Sequence, residues 1–130
     1  MLEHSKAFSS FSVSNIEKAK EFYGSTLGLS IKDNEMGILE LQIGGSAPVM
    51  IYPKENHQAA TFTVLNFPVQ SVEFTIDALI VKGVQFEHYD SEYLKTDDKG
   101  IFRGDGHMIA WFKDPDGNIL SVLETNKQMG

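Results

Sequence analysis

Val13-Ser-Asn-Ile-Glu17, continued by Gly28-Leu-Ser-Ile31, is answered further along the chain by Val69-Gln-Ser-Val-Glu73 and Gly83-Val-Gln-Phe86. The two sets stand 56 residues apart at Val13/Val69, Ile16/Val72 and Glu17/Glu73. They stand 55 apart at Gly28/Gly83, Leu29/Val84 and Ile31/Phe86, so a single deletion reconciles them. An internal repeat constrains the whole architecture. Two copies are too few for an open solenoid, so the pattern predicts a paired, closed arrangement.

Outward from the first copy, Phe8 to Val13 is a short strand rich in serine and aromatics. Ser14-Asn-Ile-Glu17 has the form of a capping box, a hydroxyl at the cap and a carboxylate three residues later. Ile16, Ala19, Phe22, Tyr23, Thr26 and Leu27 then recur at helical spacing, and Gly28 supplies the stop. Leu29–Lys32, Gly37–Ile43 and Pro48–Tyr52 are three strand candidates separated by turn residues. The order is strand, helix, strand, strand, strand.

The second copy repeats it. Ala60–Phe67 suits a strand, and Val72, Thr75, Ile76, Leu79 and Ile80 form a helical stripe ending at Gly83. Val84–Tyr89, His107–Lys113 and Ile119–Glu124 complete the set. Asp114-Pro-Asp-Gly-Asn118 predicts a type I turn with glycine in the left-handed position, closing a bulged hairpin. The polar stretch from Asp90 to Gly106 is far longer than its counterpart in the first copy. It is either a functional loop or a flexible, solvent-exposed one. The expected organisation is one α+β domain of two βαβββ modules in tandem, residues 1–56 and 57–130.

The bulk numbers narrow the function classes. With 130 residues, 42% of them hydrophobic and 22% charged, the chain can bury a real core. A formal charge of −7 argues against nucleic acid, which needs clustered Lys and Arg. No apolar run approaches the roughly 20 residues that span a bilayer, so no membrane partner is expected. Met1-Leu-Glu-His-Ser-Lys6 lacks the charged and apolar regions of a signal peptide, which leaves a cytoplasmic location as the default. The absence of cysteine excludes disulfides, zinc–thiolate sites and thiol nucleophiles.

The doubled βαβββ order, Phe22-Tyr23 with Leu27-Gly28 in the first helix, and Phe112-Lys-Asp-Pro-Asp-Gly-Asn118 before the last strand together resemble the vicinal oxygen chelate superfamily. That group holds glyoxalase I, the fosfomycin- and bleomycin-resistance proteins and the extradiol dioxygenases. The resemblance implies two curled mixed sheets around a shared cavity, usually completed in a homodimer. In catalytic members it further implies His, Gln or Glu side chains that hold a divalent metal, which stabilises an enolate or oxyanion as a Lewis acid.

Carried onto this chain, the four ligand positions fall at Phe8, at Met50 or Ile51, at Val64 and at Ser121. These are poor donors or none, so no metal or other cofactor is expected. Glu124 lies three residues past Ser121, and strand alternation turns it away from the cavity face. His4, His57, His88 and His107 share no metal-binding spacing. A displaced site would have to draw on His57, His88, His107 and Glu40.

Alternation also predicts a lining. If Phe8 faces inward, so do Ser10 and Ser12; if Val64 does, so do Phe62 and Asn66. The three-residue bulged loop pairs Asp114 with Asn118 and hence Trp111 with Ser121, placing His107 and Trp111 on the same face. A four-residue loop would put Phe112 there instead. Trp111, the single tryptophan, is a stacking platform or else a core or interface aromatic. Arg103, the single arginine, suits a carboxylate or phosphate, or else a surface ion pair. Tyr52 could place a hydroxyl at the pocket mouth, and His107 is the candidate general base.

Three functions compete. The first is a metal-free small-molecule binding protein of the bleomycin-resistance kind, holding an aromatic or amphipathic ligand, anionic if Arg103 reaches it. The second is a glyoxalase- or dioxygenase-like enzyme with displaced metal ligands or with His107/Arg103 acid–base chemistry. The third is a degenerate module kept for interaction with another protein.

Overall fold

Residues 1–125 are described by a computed structural model, and they form two compact units, Met1–Ala59 and the chain from Ala60 onward. The first unit holds β1 (Ser9–Val13), α1 (Ile16–Glu21), β2 (Ser30–Asp33), β3 (Leu39–Gln42) and β4 (Val49–Pro53). The second holds β5 (Thr63–Pro68), α2 (Val72–Val81), β6 (Ile101–Gly104), β7 (His107–Lys113) and β8 (Ile119–Thr125). Each unit is therefore βαβββ.

The sheets have the same strand order, β1-β4-β3-β2 and β5-β8-β7-β6. In each, the first strand runs parallel to the last, Phe11 beside Ile51 and Phe67 beside Val122, while the remaining pairs are antiparallel. Both sheets are mixed and open, and neither closes into a barrel.

Each helix covers one face of its own sheet. In the first unit Phe11, Val13, Leu39, Leu41 and Ile51 are buried together with Ala19 and Tyr23 of the helical segment. In the second, Leu120, Val122, Ala110, Phe112 and Ile101 are buried with Val72 and Ile76. Alternate residues of the same strands stand on the opposite, more exposed face.

The first helix is capped one residue later than the capping-box reading places it. Asn15, not Ser14, is the first cap, and its Oδ1 accepts from the Lys18 N–H at 3.0 Å. The equivalent position in the repeat is Ser71, whose Oγ accepts from the Phe74 N–H at 3.1 Å. Glu17 and Glu73 then lie in the first turns of their helices, near the positive end of the helix dipole. α1 continues into one wide π-helical turn, Phe22–Thr26, before Gly28 reverses the chain at φ +77°.

The second strand of the second unit is not Val84–Tyr89. The backbone of that segment meets β7 at the isolated Phe86–Phe112 bridge and through the Glu87 N–H bonded to the Trp111 carbonyl, without forming a strand. β6 takes the rest of that edge, although it arises inside the stretch expected to be a loop. The cause is local. Asp105 and Gly106 have φ values of +52° and +78°, both left-handed as a tight two-residue hairpin requires, and they fold β6 directly back onto β7.

The Asp114–Asn118 turn is the bulged form: Asp114 N–H bonds the Asn118 carbonyl, Gly117 has φ +89°, and Trp111 pairs with Ser121. Among the described residues no helix is long and apolar enough to cross a membrane.

Candidate functional site

The helix-free face of the second sheet carries a row of three neighbours. Asn66 on β5 pairs with Ser121 on β8, which pairs with Trp111 on β7. Alternation puts all three on the face opposite α2, and the buried Leu120 and Val122 on either side of Ser121 point the other way. Ser121 is wholly buried, and its hydroxyl donates to Asn66 Oδ1 at 2.6 Å.

Trp111 is held from three sides. Its Nε1–H donates to Thr63 Oγ1 at 3.1 Å. Tyr89 stands edge-on to the indole with centroids 5.6 Å apart, and Phe102 lies tilted at 6.5 Å. All three rings are half-buried, so the indole is fixed yet still partly open to solvent. Burial, with a smaller contribution from Glu87, raises the Tyr89 phenol above its ordinary value and keeps it neutral.

Thr63, Tyr89 and Phe102 were not anticipated on this face. A register shift between Thr63 and Leu65 makes Val64 the extra residue of a bulge, so Thr63 takes the place that simple alternation gives to Val64. Phe102 enters from β6, opposite Ile109. Phe62 precedes β5 and is 67% exposed.

Arg103 does not join this face. It pairs with Met108, on the α2 side of the sheet, and its Nη2 lies 2.9 Å from Glu73 and 3.2 Å from Asp97. The bond to Glu73 and the charge of both carboxylates raise the guanidinium further above its ordinary value. His107 pairs with Gly104 on the other face, so Arg103 and His107 are not brought together as an acid–base pair.

In the first unit, Ser10 and Ser12 on β1 pair with Met50 and Tyr52 on β4, all on the face opposite α1. Ser12 Oγ lies 2.6 Å from His57 Nδ1. Phe8 lies just before β1 and is 60% exposed.

The four positions at which a divalent metal would be held do not fit one. Phe8 and Val64 offer no donor atom, and Met50 offers only a thioether. Ile51, the alternative to Met50, is fully buried on the helix side. The Ser121 hydroxyl is already engaged with Asn66. Glu124 points to the helix side, where its Oε1 accepts the Val72 N–H at the start of α2. Among the described residues no three His, Cys, Asp or Glu side chains gather as a ligand set.

The structure has many similar solved relatives. A glyoxalase family protein from Enterococcus faecalis is 26% identical, with a TM-score of 0.67 over 95% of this chain and 100% of that one. A glyoxalase family protein from Bacillus anthracis is 19% identical, with a TM-score of 0.70 over 96% of this chain and 99% of that one. TnmS3, an antibiotic binding protein from Streptomyces sp. CB03234, is 20% identical, with a TM-score of 0.67 over 96% and 98% of the two chains. Among curated proteins nothing matches the chain. The sequence model of one family matches residues 7–122, nearly the whole length. The chain belongs to the Glyoxalase/Bleomycin resistance protein/Dioxygenase superfamily.

Proposed function

We propose that this protein binds a planar, largely apolar small molecule without a metal, using the Trp111 face of its second unit as the stacking surface. The observation that carries the reading is the fixed indole: Thr63 pins its N–H while Tyr89 and Phe102 brace the ring. A braced aromatic loses little freedom when a second flat ring stacks on it. The donor-poor family positions support binding over metal-assisted turnover, because Phe8, Met50, Val64 and Ser121 make no ligand set for a hard cation. The likeness to TnmS3 supports the same reading at the level of the fold.

The test uses chelator-treated protein and fluorenone, a flat neutral tricycle. Fluorescence of the single tryptophan should be quenched saturably, with one probe per chain, and Trp111→Ala should abolish binding in a calorimetric titration. Saturable binding that survives Trp111→Ala would refute the assigned surface. Stoichiometric metal in untreated protein, found by mass spectrometry, would refute the metal-free reading.

A further inference from the structure

We infer that Asn66 is a hydrogen-bond donor aimed at the ligand, and that the surface selects planar molecules carrying a neutral ring carbonyl. The inference rests on the small-molecule reading above. An amide side chain can turn either its oxygen or its nitrogen outward. Here Ser121 makes the choice: its hydroxyl is wholly buried and donates to Asn66 Oδ1 at 2.6 Å, the one side-chain bond shown for it. A flipped amide would leave that O–H without an acceptor, so Nδ2 is the end left for other partners. Asn66 is exposed, and Nδ2 has no partner among the described residues. The strand register places this donor two strands from Trp111 with Ser121 between them, all on one face. Neighbouring strands lie about 4.8 Å apart, so the Asn66 and Trp111 backbones stand about 10 Å from each other. The indole leans toward β5, where its Nε1 meets Thr63, which leaves at most that distance for a ligand to cover. A two- or three-ring ligand stacked on Trp111 spans that distance and brings an edge oxygen to the amide.

The charge on this face argues for a neutral acceptor. Arg103 is on the other side of the sheet, tied to Glu73 and Asp97. Of the sheet's lysines and arginines, Lys113 alone shares the face by alternation, and its Nζ lies 3.8 Å from Glu87. Among the described residues of the sheet a carboxylate would meet no unmatched lysine or arginine there, and it would enter a protein of net charge −7. A carbonyl needs only the two N–H groups that Asn66 presents. Ser121 thus acts as a positioning residue, at the place where metal-binding relatives would carry a ligand.

Fluorenone and fluorene test this, since they share one flat skeleton and differ by the carbonyl. Wild-type protein should bind fluorenone about five- to tenfold more tightly than fluorene, the yield of one net hydrogen bond. Asn66→Asp should abolish or invert that preference, with fluorene affinity measured on the same variant reporting whether the stacking surface survives. Ser121→Ala should reduce the preference, because the freed amide can turn its oxygen outward, and fluorene again reports whether the surface is intact. Equal affinity of wild type for the two probes, or a preference that survives Asn66→Asp, overturns the inference and leaves the stacking surface standing. Binding of neither probe overturns both.

Discussion

The Ser12 hydroxyl lies 2.6 Å from Nδ1 of His57, tying the first strand to the segment that follows β4. Nε2 of the same ring is buried and has no hydrogen-bond partner among the described residues. Ser12→Ala therefore leaves a part-buried imidazole without the one bond shown for it. The expected loss is about 1–3 kcal/mol, the range for stranding a buried polar group. Replacing both, as Ser12→Ala with His57→Leu, removes the polar pair together and should cost less than the sum of the single changes. Urea denaturation of the four proteins measures this, and strict additivity would show that the contact carries no coupling.

Asp97 predicts an acid-sensitive step in the segment leading to β6. Its Oδ1 accepts from the Lys99 and Ile101 N–H groups, each at 2.9 Å, and its Oδ2 from Arg103 Nε at 3.2 Å. Slight burial opposes ionisation, but the Ile101 and Lys99 N–H groups and the guanidinium outweigh it, holding the carboxyl below its ordinary 3.8. A depressed carboxyl contributes stability that is present above the ordinary value and lost as pH falls through the folded one. Amide exchange at Ile101 should accelerate in that acid range in wild type. In Asp97→Asn, which keeps an acceptor but no charge, that acid step should vanish; an unchanged profile would contradict the assignment.

How much of this could be read from residues alone differs between the two units. In the first, the strands Leu29–Lys32, Gly37–Ile43 and Pro48–Tyr52 each overlap an observed strand, because glycine and asparagine turns separate clear apolar runs. In the second, the apolar run Val84–Tyr89 looked like a strand, and the polar stretch after it hid β6. The missed signal was Asp105-Gly106, a tight-turn dipeptide between Ile101–Gly104 and His107. Trp111 and Ser121 were placed on one face because the Asp114–Asn118 loop fixes the hairpin register. Thr63 was not, because a bulge in β5 leaves no mark in composition. Arg103 pointed away for the same reason that β6 was hidden, since its face depends on a pairing with β7 that was not foreseen.

Tyr89 gives a reporter for the Trp111 cluster at alkaline pH. Burial, then Glu87, raises its phenol above the ordinary 10.0. A raised group contributes stability that is present below the unfolded value and lost as pH rises through the folded one. Tyr89 stands 5.6 Å from Trp111, close enough for its phenolate to quench the indole. Trp111 emission should fall with a midpoint above pH 10. Tyr89→Phe should remove that transition, and its persistence would place the quenching group elsewhere.

The Asp114–Asn118 turn sets the register on which the Trp111 face depends, so its loss should reach the face as well as the stability. Asp114 is buried, its Oδ1 accepts from the Asp116 and Asn118 N–H groups at 2.9 Å, and its Oδ2 accepts from Asn118 Nδ2 at 2.9 Å. Asp114→Ala removes the acceptor that these three N–H bonds share, and a loss of about 2–4 kcal/mol is expected from bonds to a charged acceptor. Gly117→Ala acts differently: it forces a side chain into φ +89° and should cost about 1–2 kcal/mol through the backbone alone. The two separate in the Trp111 emission of the folded proteins. Gly117→Ala should leave it unchanged, because the register survives, whereas Asp114→Ala should shift it as the Trp111–Ser121 pairing loosens. Equal spectra for both variants would mean that the strands, rather than the turn, hold the register.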